Sequence, residues 1–492
     1  MLQNLAYGFS LVFQPFTFAL MVFGTAIGVV IGALPGLTAS MGIILLLPLV
    51  YRLPANVSLV MLCGLFCGGM YGGSISAILL NTPGTPSASA TVLDGYPLNR
   101  QGKAGKALGI ATIASFGGGI ISTICLILIA PQLAKVALSF QAADYFSLSI
   151  FGLSIMASSS GKNVVKGLIA GCIGLLVSCV GIDTIVGVNR LTFNNMYLAG
   201  GFSLLPVLIG VFAVSEVLKQ VQTSHEERPV TIQAVTDILP TWTEIKGVIP
   251  AILVGGVIGV FIGIVPGTGG AIACFLAWNV VSKFDKEGHK FGTGVLAGVA
   301  APESANNATT GGALIPMLCL GVPGDVVTSV MLGALVLIGV RPGPLLFIEN
   351  IDVVYSIFAG MVIIQFLMLG FGLLSSRYSP AILKIPDTLL MPVIMVLCVV
   401  GAFCLNNSLY DVTVALVFGI LGFFMKRWGY PGAPLVLGVI LGPMAEENLN
   451  RALLVSNNNW AVLVQRPISL TFLLLSALSI GLALYNVKKK EA

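Results

Sequence analysis

Two six-residue stretches, Gly32-Ala33-Leu34-Pro35-Gly36-Leu37 and Gly263-Ile264-Val265-Pro266-Gly267-Thr268, lie at the ends of apolar runs and restrict the fold more than any other feature. Proline lacks a backbone N–H and clashes with the preceding turn, and glycine relaxes φ, so a regular helix does not run through such a pair. The likeness extends upstream. Gly24, Ile27, Gly28, Val29 and Ile31 recur as Gly255, Ile258, Gly259, Val260 and Ile262, at a constant offset of 231 residues. A second pair of interruptions, Asn81-Thr82-Pro83-Gly84 and Gly321-Val322-Pro323-Gly324, recurs at an offset of 240. Four interruptions in repeat register are the pattern of a membrane protein with an internal two-fold repeat and broken helices.

Composition supports this reading. The chain is 57% hydrophobic and 9% charged, against about a quarter charged for soluble domains. Continuous apolar runs exclude the alternating pattern of a β-barrel. The predicted fold is an all-α polytopic membrane protein with about ten to fourteen transmembrane helices, some broken or re-entrant. Residues 1–220 form the first repeat half and 221–246 a hydrophilic connector. Residues 247–492 form the second half plus C-terminal helices. The net charge of +5 reflects basic loops that set orientation, not a nucleic-acid surface. The loop after the first interruption carries only Arg52 in the first half but Lys283, Lys286 and Lys290 in the second. The loop after the second interruption reverses this, with Arg100, Lys103 and Lys106 against Arg341. Equivalent loops exchange their basic loading, so the two halves are expected to be inverted in the membrane.

A helix that restarts after a break presents free N–H groups and a partial positive charge, which suits anions without arginine or lysine. The candidate substrate-binding residues are therefore Pro35, Gly36, Thr38, Thr82, Gly84, Thr85, Pro266, Gly267, Thr268, Gly269, Pro323 and Gly324. Between the second-half breaks lies Pro302-Glu303-Ser304-Ala305-Asn306-Asn307-Ala308, whose first-half counterpart near Cys63 to Phe66 is apolar. An intramembrane carboxylate is costly and marks a functional candidate. Glu303, Asn306, Asn307 and Asp325 offer the oxygens a hard coupling cation prefers. A helix-start role for Glu303 after Pro302 fits the sequence equally well, and Asp94 fits either function or a turn. Glycines at 24, 28 and 32, and at 255, 259 and 263, leave one smooth helix face in each half for close packing.

The segments GALPGLTASMGIILLLP, NTPGTPSASATVLDGYPLNRQGKAGKALG, APESANNA, LGVPGDVVTSVMLGAL with GVRPGPLLF, and YPGAPLVLGVILGPMAEENL together resemble the large membrane subunit, TctA, of the tripartite tricarboxylate transporters. The resemblance implies a bacterial inner-membrane secondary importer of carboxylates such as citrate. The driving gradient it implies is one of Na⁺ or H⁺, with no other cofactor. It implies a small TctB-like membrane subunit and a TctC-like periplasmic solute-binding protein as partners, besides the lipid bilayer. It implies a transporter, not an enzyme. Two other classes fit the composition less well. An intramembrane lipid or polyprenyl transferase would need an asymmetric catalytic cluster around Glu303, and a passive anion channel would need no coupling ion.

Overall fold

The computed structural model describes residues 1–158, 164–183, 187–223, 235, 237–383 and 386–491. Residues 224–234 and 236 of the expected connector lie outside the described residues. The chain opens with α1 (Leu2–Val12), α2 (Pro15–Ala33), α3 (Ala39–Val50), α4 (Ala55–Leu80), α5 (Val92–Arg100) and α6 (Ala104–Ala137). It continues through α7 (Ala142–Ser158), α8 (Val164–Ser178), α9 (Met196–Ala199), α10 (Leu204–Leu208) and α11 (Ser215–Thr223). The second half holds α12 (Trp242–Ile264), α13 (Gly269–Phe284), α14 (Leu296–Leu320), α15 (Val326–Leu337), α16 (Leu346–Glu349) and α17 (Ile351–Ile382). Then come α18 (Asp387–Asn406), α19 (Leu409–Arg427), α20 (Gly432–Val455), α21 (Val462–Gln465) and α22 (Pro467–Glu491). Among the described residues the β structure is one pair of two-residue strands, Gly181–Ile182 with Asn189–Arg190.

The protein is all-α and multi-pass. Seven described helices are long and apolar enough to cross a bilayer, and six more are apolar but only 10–17 residues long. Two compact units form, each from two separate segments: Met1–Ala134 with Thr223–Pro392, and Lys135–Gln222 with Val393–Ala492. In the second unit, ion pairs join helices distant in sequence. Asp144 pairs with Arg466 at 2.7 Å and Glu216 with Lys426 at 2.7 Å, and Arg190 pairs with Glu446.

The first unit contains all four interruptions. In it α2 and α4 run side by side in the same direction. A Cβ on Gly24, Gly28 or Gly32 would collide with the carbonyl oxygen of Met61, Leu65 or Gly69 respectively. The second half repeats this contact: Gly255, Gly259 and Gly263 face the carbonyls of Ala301, Ala305 and Thr309. The glycines keep the 231 offset and their partners keep the 240 offset, so the repeat holds residue by residue. Glycine every fourth residue is one helical turn apart, and its bare face lets two backbones approach.

Between these parallel helices α3 runs back. Ala39 packs on Gly69 and Gly42 beside Leu65, so α3 descends as α4 rises. The first break is therefore the tip of a re-entrant hairpin, closed by Gly36 at φ 87°. Because α12 and α14 are also parallel, α13 must return between them in the same manner, after Gly267 at φ 77°.

Every residue from Val57 to Leu79 of α4 and from Ala297 to Cys319 of α14 is buried. The two helices cross with opposite polarity: Cys67 Sγ lies 3.6 Å from Thr310 Oγ1, and Asn306 Nδ2 donates to Met70 O at 2.9 Å. Reading α4 forwards meets α14 backwards, as inverted halves require. The flanking helices are exchanged between halves. First-half α6 lies along α14, with Ser115 at Glu303 and Ser122 at Gly311. Second-half α17 lies along α4, with Gly360 at Val60 and Gly372 at Tyr71.

The glycine contacts give a direct test. Gly32→Ala places its methyl against the Gly69 backbone, an overpacking cost of about 1–3 kcal/mol. Gly247→Ala in α12, where no atom lies within 4 Å, should be neutral or up to about 1 kcal/mol stabilising. Thermal unfolding in detergent should separate the two; equal midpoints would contradict the close α2–α4 approach.

Candidate functional site

The four interruptions fold onto one another in pairs. Asn81 (φ 56°) ends α4 and Gly321 (φ 69°) ends α14, both in the left-handed conformation that terminates helices. The chain then turns back along the helix it has just left. Gly84 N donates to Gly73 O at 3.3 Å, and a Cβ on Gly84 would collide with Gly32 O at the first break. In the second half Gly324 sits against Ala313, with its Cβ position 2.7 Å from Gly263 O, and Gly324 O accepts from Gly267 N at 2.7 Å. Breaks one and two thus form one knot, and breaks three and four form its counterpart. The two knots also meet crosswise, because α13 packs on the short turn Pro86–Ser89 and α15 packs on α3.

The helix starts at these knots are not equivalent. Thr38 caps α3, accepting from Met41 N at 3.4 Å and sharing a 2.8 Å hydrogen bond with Ser40. Asp325 caps α15: its carboxylate accepts from Thr328 N at 2.8 Å and Thr328 Oγ1 at 2.7 Å. The 16-residue α13 begins without a side-chain cap. The Thr268 hydroxyl points back instead, donating to Ile262 O at 2.6 Å and Val265 O at 2.9 Å. Thr82 likewise donates to Leu80 O at 3.3 Å. Gly269 (φ 70°) has open space around it. Thr85 differs from the other hydroxyls: it is buried, and its Oγ1 has no hydrogen-bond partner among the described residues.

Pro35, Pro266 and Pro323 precede Thr38, Thr268 and Asp325 respectively in these turns. The acidic and amide candidates fall into two places. Glu303, Asn306 and Asn307 lie in the middle of α14, fully buried. Asp325 follows the return turn, next to Gly324, which packs against Ala313 about 15 Å along α14 from Glu303. Glu303 accepts from Thr91 Oγ1 at 2.5 Å and from Ser115 Oγ at 3.1 Å, and none of the ion pairs among the described residues reaches it. Asn306 spends its amino group on Met70 O, but among the described residues its Oδ1 has no hydrogen-bond partner, nor has either polar atom of Asn307. A buried polar group left without a partner costs about 1–3 kcal/mol. Concentrating three such atoms on one turn of a central helix is a structural expense that binding would offset.

Asp94 resolves into a positioning residue. Its Oδ1 accepts from the backbone N–H of Gly292, Gly294 and Val295 at 2.9, 2.9 and 3.0 Å, and its Oδ2 from Trp278 Nε1 at 2.8 Å. It ties α5 of the first half to the α13–α14 loop of the second. Sequence reasoning did not single out Thr91, Ser115 or Gln365. The first two are common residues whose importance comes from what they touch. Gln365, a lone amide in the apolar run of α17, was a visible signal.

The profile of the tripartite tricarboxylate transporter TctA family matches residues 18–437. An uncharacterised 52.8 kDa protein of the TAR-I ttuC′ 3′ region of Agrobacterium vitis is 36% identical over 98% of this chain and 95% of its own length. A second uncharacterised Agrobacterium vitis protein, from the TAR-II ttuC′ 3′ region, is 37% identical over 46% of this chain and 93% of its own length. No solved structure matches the chain.

The Asp94 clamp is testable. Asp94→Ala strands three backbone N–H groups and an indole N–H, so a loss of about 3 kcal/mol or more is expected. Hydrogen exchange at 285–295 should accelerate selectively; unchanged protection there would remove the clamp from the account.

Proposed function

The chain belongs to the tripartite tricarboxylate transporter TctA family, and from that membership we propose that it is the translocating subunit of a cation-driven carboxylate importer. As a family member it is a multi-pass membrane subunit of a transport system, not an enzyme. The proposal adds the finer points. The substrate is a di- or tricarboxylate such as citrate, and the driving ion is Na⁺, with H⁺ as the alternative. A periplasmic binding protein delivers the substrate and a small membrane subunit completes the complex in the bacterial inner membrane.

One observation carries this reading: two knots of broken helix, related by the repeat, flank a pair of buried central helices of opposite polarity. Inverted halves around a midplane site are the architecture that allows access from alternate sides. A single catalytic cluster would gain nothing from such duplication.

On this reading the substrate carboxylates are held without a permanent cation. The free N–H groups at the start of α13 supply donors and dipole, and the Thr85 hydroxyl supplies a further one. Thr38, Thr82, Thr268 and the backbone of Gly36, Gly84, Gly267, Gly269 and Gly324 shape the surrounding walls. The start of α15 is already satisfied by the Asp325 carboxylate, which repels a second anion. The two crosswise contacts between the knots thereby divide the work: substrate where α13 meets the Pro86–Ser89 turn, cation near acid-bearing α14 and α15. Dipole-held carboxylates are released more readily than ones paired with buried arginine, which suits turnover.

Uptake of radiolabelled citrate into proteoliposomes, with the small membrane subunit and external binding protein, tests the proposal. Accumulation should need both the binding protein and an inward Na⁺ gradient. Thr85→Val should reduce uptake by roughly 10- to 100-fold through loss of one hydrogen bond to a charged group. Flux indifferent to both requirements would point to a channel, and H⁺-driven uptake without Na⁺ would replace the coupling ion.

A further inference from the structure

The polar atoms at the centre of the first unit do not all belong to α14. Gln365 lies on α17, fully buried, and its Oε1 has no hydrogen-bond partner among the described residues. Its Nε2 lies 3.6 Å from Cys67 Sγ, which in turn lies 3.6 Å from Thr310 Oγ1. Its Oε1 lies against Gly119 of α6, where any Cβ would collide with it. The level of Gly119 along α14 is fixed by its neighbours. Ser115 reaches Glu303, Gly118 lies on Ser304, and Ser122 lies on Gly311. Glu303, Asn307 and Gly311 are four residues apart and share one face of α14, the face that meets α6. Gly119 therefore lies level with Asn307, and so does the amide of Gln365. Thr310, which brackets the other side of that amide, is one turn from Asn307 and donates to its carbonyl at 2.6 Å.

Asn307 Oδ1, Asn307 Nδ2 and Gln365 Oε1 thus lie at one level, all buried and without a hydrogen-bond partner among the described residues, the two amides too far apart to satisfy each other. We propose that Asn307 and Gln365 together form a binding site for a small monovalent cation. This rests on the cation-coupled reading above and supplies the ligand that α14 by itself lacks. The ligand set is neutral oxygen. Among the described residues no cluster of three or more His, Cys, Asp or Glu side chains could hold a metal, whereas divalent ions are normally held through carboxylates. The Glu303 carboxyl, one turn from Asn307 and engaged with Thr91 and Ser115, stands beside the cation without being needed as its ligand. Placing one amide on each of two helices makes the site sensitive to their relative position, so binding and helix arrangement are linked. The glycine at 119 is what leaves room for the Gln365 side chain.

The test uses the purified full chain in detergent. Thermal unfolding midpoints are followed through titrations with NaCl against KCl or choline chloride at constant ionic strength. The wild type should show a saturable rise specific to NaCl. Gln365→Met keeps the side chain's length but removes the oxygen, and should raise the half-saturating Na⁺ concentration by about tenfold or more. Gln365→Asn keeps an amide but withdraws it by one methylene, and should show the same direction of change. Both variants should match the wild type in choline chloride, which reports folding alone; where Met disturbs packing there, Asn decides. Wild-type Na⁺ half-saturation in the folded variants would overturn Gln365 as a ligand and leave the Na⁺-coupled reading standing. Absence of any Na⁺-specific shift in the wild type would overturn both.

Discussion

The crossing of α4 and α14 is the contact on which the first unit depends. Each is buried over some 23 consecutive residues, so neither faces lipid and each needs close neighbours on every side. That demand explains the glycine ladders of α2 and α12, where carbonyl oxygens occupy the space a methyl group would fill. It explains the re-entrant α3 and α13, which cover a further face while returning the chain for a parallel helix. It also explains the exchange of α6 and α17, each of which packs on the central helix of the other half. A helix without a lipid face is free to carry polar residues, and α14 does so.

The repeat duplicates the scaffold but not the chemistry. At the crossing, the position of Asn307 in the second half corresponds by the 240-residue offset to Cys67 in the first. The amide of Gln365 faces a glycine of α6. At the knots, α3 starts on the Thr38 cap, whereas its counterpart α13 starts uncapped. Backbone geometry needs both halves to be alike, because the breaks and glycine faces must match in an inverted pair. The proposed function needs a difference between them, since two identical sites would not separate an anion from a cation. In this chain one half supplies small or apolar residues where the other supplies acids and amides.

Buried polar groups in the first unit fall into two kinds, and the distinction bears on role. Asp94 is fully used, with four donors on its two oxygens, and it holds a loop in place. Glu303 is held by two hydroxyls. Asn307, the Oδ1 of Asn306, the Oε1 of Gln365 and the hydroxyl of Thr85 are instead left over after packing. A group used by the fold stabilises it, while a group left unsatisfied costs stability, a cost that binding at the proposed site would offset.

Much of this was fixed by the order of residues. Apolar runs dictated helices in a bilayer, Pro-Gly pairs dictated where helices stop, and constant offsets between recurring glycines dictated a two-fold repeat. Exchange of basic loops indicated inversion, which the opposite polarity of α4 and α14 matches. These are local or periodic signals, and local chemistry determines them. Only the tertiary structure decided that the breaks are hairpin tips knotted in pairs, and that Thr82 and Thr268 turn their hydroxyls to backbone while Thr85 does not. It alone placed Gln365 level with Asn307. Such placement depends on which turn of one helix meets which turn of another some 58 residues away or more, between Asn307 and Gln365. That register follows from close packing of whole helices, and no short stretch of sequence encodes it.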